Sequence, residues 1–151
     1  QLARASFKSL CSANILDDLW GKFAFMAAGA SLTCLMRASV GDIVASPEGE
    51  AVARRLLDEC QSIARAAGHP VSDTNADFAA RTLCATGSPF KASMLRDIEA
   101  GRRVEADHLV GDMLRRGRQL GQSVTMLQAA YAHLLAYECS SLPAGTSSPA
   151  Q

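Results

Sequence analysis

Apolar positions recur along this chain at the three- and four-residue spacing of helices. Ile15, Leu16, Leu19, Trp20 and Phe23 open such a run after a candidate cap at Ser12 or Asn14. It continues from Ala24 to Met36, which predicts one long core helix. Its middle holds Ala27, Ala28, Gly29, Ala30 and Ser31, small residues that let another helix come close. That packing offsets the roughly 1 kcal/mol by which glycine is a poorer helix former than alanine. Ser46, Pro47 and Glu48 form a second start signal with proline in the first turn. The stripe Val52, Leu56, Leu57, Cys60, Ile63 and Ala64 then runs to Ala67, and Gly68 ends it.

After a turn at His69 and Pro70, Ala76, Phe78, Ala79 and Leu83 predict a helix from Thr74 to Leu83, capped by Asp73 or Thr74, and Thr86 to Pro89 reads as a loop. Met94, Leu95 and Ile98 form a short helix that Gly101 closes with a left-handed turn. Leu109, Val110, Met113 and Leu114 resume the pattern to about Leu120, and a last helix covers about Thr125 to Cys139. β-branched alternation is almost absent and no two-residue hairpin signal occurs. The fold class is therefore all-α, a bundle of six to seven helices in one domain over residues 1–139, with a disordered Ser/Pro/Gly/Ala-rich tail over 140–151.

Composition narrows the function classes. At 151 residues and 48% hydrophobic, the chain can bury a core without disulfides or metals. Lys plus Arg equals Asp plus Glu at 15 each, so no global field draws it to nucleic acid or anionic lipid, and the basic run Arg115, Arg116, Arg118 reads as a solvated helix face. Cys11, Cys34, Cys60, Cys84 and Cys139 are scattered singly and read as reduced core residues, which suits a cytoplasmic location. His69, His108 and His133 are too dispersed for a metal cluster. The weakly polar run from Lys22 to Arg37 is too short for a membrane span, which needs about 20 residues. Residue 1 is glutamine and no secretory signal opens the chain, so these residues are expected to begin inside a longer polypeptide.

Four side chains stand out chemically. Lys22 sits in LWGKFAFMAAGASLTCLM among apolar or small neighbours, where burial lowers and a nearby carboxylate raises a lysine's pKa. The alternative is an ammonium that snorkels to water. Glu59, inside the apolar stripe beside Cys60, is the acid paired with it here, although most glutamates are exposed. Ser93 and Glu105 lie near the starts of two helices, where unpaired N–H groups favour an anion; the plainer alternative makes them an N-cap and a first-turn acid. No G-x-G-x-x-G, G-x-x-x-x-G-K-[ST], G-x-S-x-G or H-E-x-x-H motif occurs, so any nucleotide must be cradled mainly elsewhere.

The run LWGKF, the Gly/Ala-rich helix carrying Leu32 and Thr33, Glu59 nine residues before Gly68, and the S-M-L-x-D-x-x-x-G-x-x-x-E-x-D motif from Ser93 to Asp107 resemble the C-terminal domain of the ketopantoate reductases (2-dehydropantoate 2-reductases). These belong among the 6-phosphogluconate dehydrogenase-like helical domains. The resemblance covers about Asn14 to Tyr131. It implies an oxidoreductase of pantothenate biosynthesis in which an N-terminal Rossmann domain binds NADPH in cis and the helical domain closes over a branched 2-oxoacid. It further implies that Lys22 is the catalytic lysine, Ser93 the contact to the substrate carboxylate, Glu105 the catalytic and cofactor-side acid, and Glu59 the lysine's partner.

This sequence departs from the family pattern at four positions. Met26, Ala30, Val40 and Phe90 stand where the family carries asparagines that hydrogen-bond the hydroxy-acid substrate, and their loss makes the pocket more apolar. Without a cofactor domain the chain alone is expected to be inactive. The competing reading is a non-catalytic helical module for self-association or partner binding, and an exposed apolar patch would favour a homodimer.

Overall fold

The long apolar run folds as a single helix, α1 (Ile15–Met36), and the rest of the protein is arranged around it. The computed structural model describes residues 15–141. Their regular elements are α1, α2 (Val40–Ala45), α3 (Gly49–Ala66), α4 (Asp73–Leu83), α5 (Ser93–Glu99), a π-helical turn (Asp107–Gly111) that runs straight into α6 (Asp112–Gln119), and α7 (Thr125–Ser141). Every regular element among the described residues is helical, so the fold class is all-α with seven α-helices.

α1 packs against α2, α3, α4, α5, the π-helical turn and α7. Ala27, Ala28, Gly29, Ala30, Ser31, Leu32, Thr33 and Cys34 are all buried, so neighbours surround this part of α1 on every side. The small residues make that approach possible: a Cβ on Gly29 would stand 3.4 Å from both Leu83 Cδ2 and Phe90 Cε1. The rest of the core comes from Leu56, Ile63, Leu95, Met113, Leu127 and Leu134, each almost fully buried.

At 22 residues, α1 is long and apolar enough to cross a membrane by length and composition, although the run from Lys22 to Arg37 is by itself too short. The apolar pattern starts seven residues before Lys22. More than half of its most apolar stretch is buried within the protein, which accounts for that composition as a core helix.

Several helix ends differ from the sequence reading. α4 is capped by Ser72, whose Oγ accepts the Asn75 amide at 3.3 Å, and not by Asp73 or Thr74, which are already helical. Pro47 lies outside α3: Glu48 takes a left-handed conformation (φ 65°), and the helix begins at Gly49, where a Cβ would lie 1.7 Å from the Ile43 carbonyl oxygen. α2, not anticipated at all, is capped by Ser39. Ser140 and Ser141, expected in a disordered tail, instead belong to α7, with the Ser140 hydroxyl donating to the Tyr137 carbonyl at 2.9 Å. Residues 142–151, Cys11 and the candidate caps Ser12 and Asn14 lie outside the described residues.

Candidate active site

The site is built on the segment that leads into α5. Three hydrogen bonds fix this segment to α1 and α2: the Val40 amide donates to the Phe90 carbonyl at 3.0 Å, the Gly41 amide to the Ser88 carbonyl at 2.8 Å, and the Ala92 amide to Thr33 Oγ1 at 3.3 Å. Thr33 is held in turn by donating to the Gly29 carbonyl at 2.8 Å. Gly41 is required by contact, since a Cβ there would lie 2.6 Å from the Ser88 nitrogen. The Phe90 ring is thereby set against Gly29, with Phe25 at 6.1 Å between ring centroids.

Between this segment, α1 and the π-helical turn lies a cavity of about 350 Å³. Its α1 wall is wholly apolar, formed by Phe25, Met26, Gly29 and Ala30, with Phe90 and Leu109 adding to it. Polar groups enter from the α5 side, where Ser93 and Arg96 stand three residues apart. Lys91 also borders the cavity, but Glu99 neutralises it at 2.7 Å. Three of the four departures from the family pattern, Met26, Ala30 and Phe90, thus line one space. The fourth, Val40, is buried behind it with its amide on Phe90.

Ser93 also borders a neighbouring groove of about 340 Å³, shared with Asp97, Arg103 and Glu105. Ser93 is not an N-cap: Ala92 precedes α5, and no side chain caps it. Glu105 is not inside a first turn either, because it lies just before Ala106, where the next helix begins. Both side chains are exposed and make no hydrogen bond or ion pair within the described residues, so the structure assigns neither of them a capping role. Gly101, at φ 67°, supplies the left-handed turn between them. The Arg102 amide reaches back to the Asp97 carbonyl at 2.8 Å and the Gly101 amide to Ile98 at 3.0 Å, the paired bonds of a glycine-terminated helix.

Lys22 is exposed and makes no ion pair among the described residues, so the snorkelling alternative describes it. It borders neither space directly. As the residue four before Met26 and eight before Ala30 it lies on the same helix face, about 6 Å along the axis from Met26 at 1.5 Å rise per residue.

The expected pairing of Lys22 with Glu59 is not formed. Glu59 is buried, at 3% exposure, and its two carboxylate oxygens accept the amides of Met126 (3.1 and 3.2 Å) and Leu127 (3.0 Å) at the start of α7. The reason is geometric. The apolar stripe that buries Glu59 aims it at the next element packed on α3, and that element presents unpaired N–H groups, which a carboxylate satisfies well.

A second polar cluster, missed in the sequence, secures the π-helical turn. Asp107 Oδ1 accepts from the Tyr131 hydroxyl at 2.8 Å and from Arg115 at 2.6 Å. These hydrogen bonds hold the Asp107 carboxyl below the usual carboxylate range and push the Tyr131 phenol up. Gly111 makes room, since a Cβ would stand 2.8 Å from Asp107 Oδ1 and 2.9 Å from the Tyr131 ring. Only the E-x-D spacing hinted at this residue.

The basic run is largely spent on local partners. Arg115 pairs with Asp107, while Arg116 pairs with Asp112 at 2.9 Å and lies over the rings of Trp20 and Phe23. Of the cysteines, Cys34 and Cys60 are core residues as expected, but Cys84 is half-buried and Cys139 exposed, because α7 presents its last turns to solvent.

Residues 14–138 match the family model described as "Ketopantoate reductase PanE/ApbA C terminal". The chain is 33% identical over 129 residues to the uncharacterized oxidoreductase YkpB of Bacillus subtilis (strain 168), covering 85% of this chain and 43% of that protein. Among solved structures, a PanE/ApbA family ketopantoate reductase from Ralstonia eutropha JMP134 superimposes with a TM-score of 0.75 at 30% identity, covering 86% of this chain and 43% of that one. A dimeric ketopantoate reductase from Staphylococcus aureus does so at 0.74 and 26%, covering 86% and 45%. The chain thus spans less than half the length of the curated relatives it matches.

Proposed function

Because the chain belongs to the ketopantoate reductase family, through the helical C-terminal part of it, we propose that it is the substrate-side half of an NADPH-dependent oxidoreductase. The whole protein reduces a branched 2-oxoacid, ketopantoate or a relative, to the 2-hydroxy acid, and its N-terminal half is a Rossmann domain in the same polypeptide. The observation that carries this reading is Ser93, which borders both the apolar cavity and the groove holding Glu105, on a wall facing the α1 stripe that begins with Lys22.

Each residue has a role that its surroundings permit. The Ser93 hydroxyl, uncommitted within the described residues, donates to the substrate carboxylate. The Lys22 ammonium gives a proton to the keto oxygen as C2 receives hydride, and its exposure lets solvent restore that proton. NADPH, when bound, supplies the hydride. The Glu105 carboxylate is an uncommitted acceptor suited to ribose hydroxyls, and the exposed Arg103 guanidinium beside it suits an anionic group, so this end of the groove fits a nucleotide. We place the protein in a reducing cytoplasm, in keeping with four free thiols among the described residues.

The test is NADPH oxidation by the full-length polypeptide with branched 2-oxoacids, against the 151-residue chain alone, which is expected to be inactive. Absence of turnover by the full-length protein with every 2-oxoacid would end this reading.

One observation favours a second reading, a helical self-association module. Ile15, Leu16 and Leu19 are 65%, 56% and 54% exposed at one end of α1, beside Trp20 and Phe23. Such a patch suits pairing of two copies. Leu19→Glu should then convert a dimer to a monomer in sedimentation equilibrium, and an unchanged mass would exclude this face.

A further inference from the structure

The cavity beside Ser93 is chemically two-sided. Along α1 and over Phe90 and Leu109 it offers only carbon and the Met26 thioether. On the α5 side it offers one hydroxyl and one guanidinium, those of Ser93 and Arg96, neither committed to a partner within the described residues, and the Lys91 ammonium, already paired with Glu99 at 2.7 Å. Its volume falls in the range of small-molecule pockets, about 300–1,000 Å³. The apolar wall is also held in place: Phe90 is fixed by the bonded backbone of its segment and by contact with Gly29, while Phe25 is packed between Phe90 and Phe78.

A ligand matching both sides has an anionic head and a tail without polar atoms. A hydroxyl at the end of that tail would leave water to face Phe25, Met26, Ala30 and Phe90, none of which has a side-chain donor or acceptor strong enough to replace the lost bonds. We propose that this cavity selects 2-oxoacids whose side chain is apolar to its end, branched-aliphatic or aromatic, over those ending in a hydroxyl, with Met26 and Phe90 as the residues that determine the choice. The proposal rests on the reductase reading above and narrows its substrate. Discrimination against the hydroxylated acid should be on the order of 10- to 100-fold, the scale set by one unpaired buried hydroxyl.

The test measures kcat/KM of the full-length protein with NADPH for 4-methyl-2-oxopentanoate and phenylpyruvate against ketopantoate, which ends in a hydroxyl. A preference of at least tenfold for an apolar acid is expected. Met26→Asn, at an exposed position that tolerates a polar side chain, should shrink that ratio several-fold, and Phe90→Asn should shrink it further. Equal or better turnover of ketopantoate by the wild type overturns the selection, as does a ratio that neither variant changes, while the reductase reading survives both outcomes. If the protein reduces no 2-oxoacid, the reductase reading falls. Titration calorimetry with phenyllactate and pantoate then decides the cavity by itself: tighter phenyllactate binding that Met26→Asn weakens supports it, and equal or weaker binding overturns it.

Discussion

The Leu127 amide donates to a carboxylate oxygen of Glu59 at 3.0 Å across 68 residues of sequence, and the Met126 amide donates to the same group. This bond joins the middle of α3 to the start of α7 through a carboxylate that is only 3% exposed.

Glu59→Ala should therefore destabilise the fold by about 3 kcal/mol, the loss of a charge-assisted cap at a buried site. Glu59→Gln, which keeps one acceptor oxygen, should cost less, about 1 kcal/mol. Urea unfolding followed by circular dichroism checks both; unchanged midpoints would mean that the carboxylate serves chemistry and not the helix junction.

Lys22→Ala should behave in the opposite way. The side chain is exposed and unpaired among the described residues, so the melting temperature should stay within a degree or two. On the reductase reading proposed above, kcat of the full-length protein should fall by on the order of 10²-fold, as expected for a lost general acid. Steady-state kinetics beside a thermal melt separates the two effects, and near-normal turnover would remove Lys22 from the mechanism.

Gly41→Ala places a methyl group 2.6 Å from the Ser88 nitrogen, so the segment carrying Phe90 must move. A cost of about 1–3 kcal/mol is expected from that overpacking, with a rise in KM because the cavity wall moves too. Denaturant midpoints and substrate KM measured on one preparation test the coupling.

Asp107 gives a pH dependence with a defined sign. Its carboxyl is held below the ordinary value of 3.8 by hydrogen bonds from Arg115 and Tyr131, so its contribution to stability is complete above about pH 4 and is lost as pH falls through the lower, folded-state value. The stability gap between wild type and Asp107→Asn should thus be flat from pH 7 to 5 and shrink below pH 4. A gap that widens on acidification would contradict the assignment.

Thiol reactivity should follow burial. Cys34, pushed up to about 12 by desolvation, and Cys60, raised by complete burial, should resist alkylation until the protein unfolds, whereas the exposed Cys139 should react at once. Peptide mapping after brief iodoacetamide treatment distinguishes them.

Reading the chain succeeded where a pattern repeats often enough to be counted. α1, α3 and α7 each hold several helical turns, and their apolar spacing gave their extents to within a few residues, as the Gly101 turn gave the end of α5. α2 escaped notice because six residues span less than two turns, and its recognisable cap, Ser39, sits in a stretch with no periodicity to anchor it. The burial of Glu59 was visible in its apolar neighbours, but its partner was not, because sequence shows which face a side chain occupies and not which distant helix end meets that face. The same limit hid the cavity. Ser93, Arg96 and Glu105 could be placed on one short stretch, whereas Phe25, Met26 and Leu109 meet Ser93 and Arg96 around the cavity only through the packing of α1, α5 and the π-helical turn.

The segment before α5 is held by main-chain atoms of Val40, Gly41, Ser88, Phe90 and Ala92 together with one threonine hydroxyl. None of those bonds uses the side chain at position 90. On the selectivity proposed above, a mutation there changes the surface a ligand meets and gives up the ring's contacts with Gly29 and Phe25, while every one of these backbone bonds can still form. In such a protein, selectivity is a replaceable surface on a fixed frame.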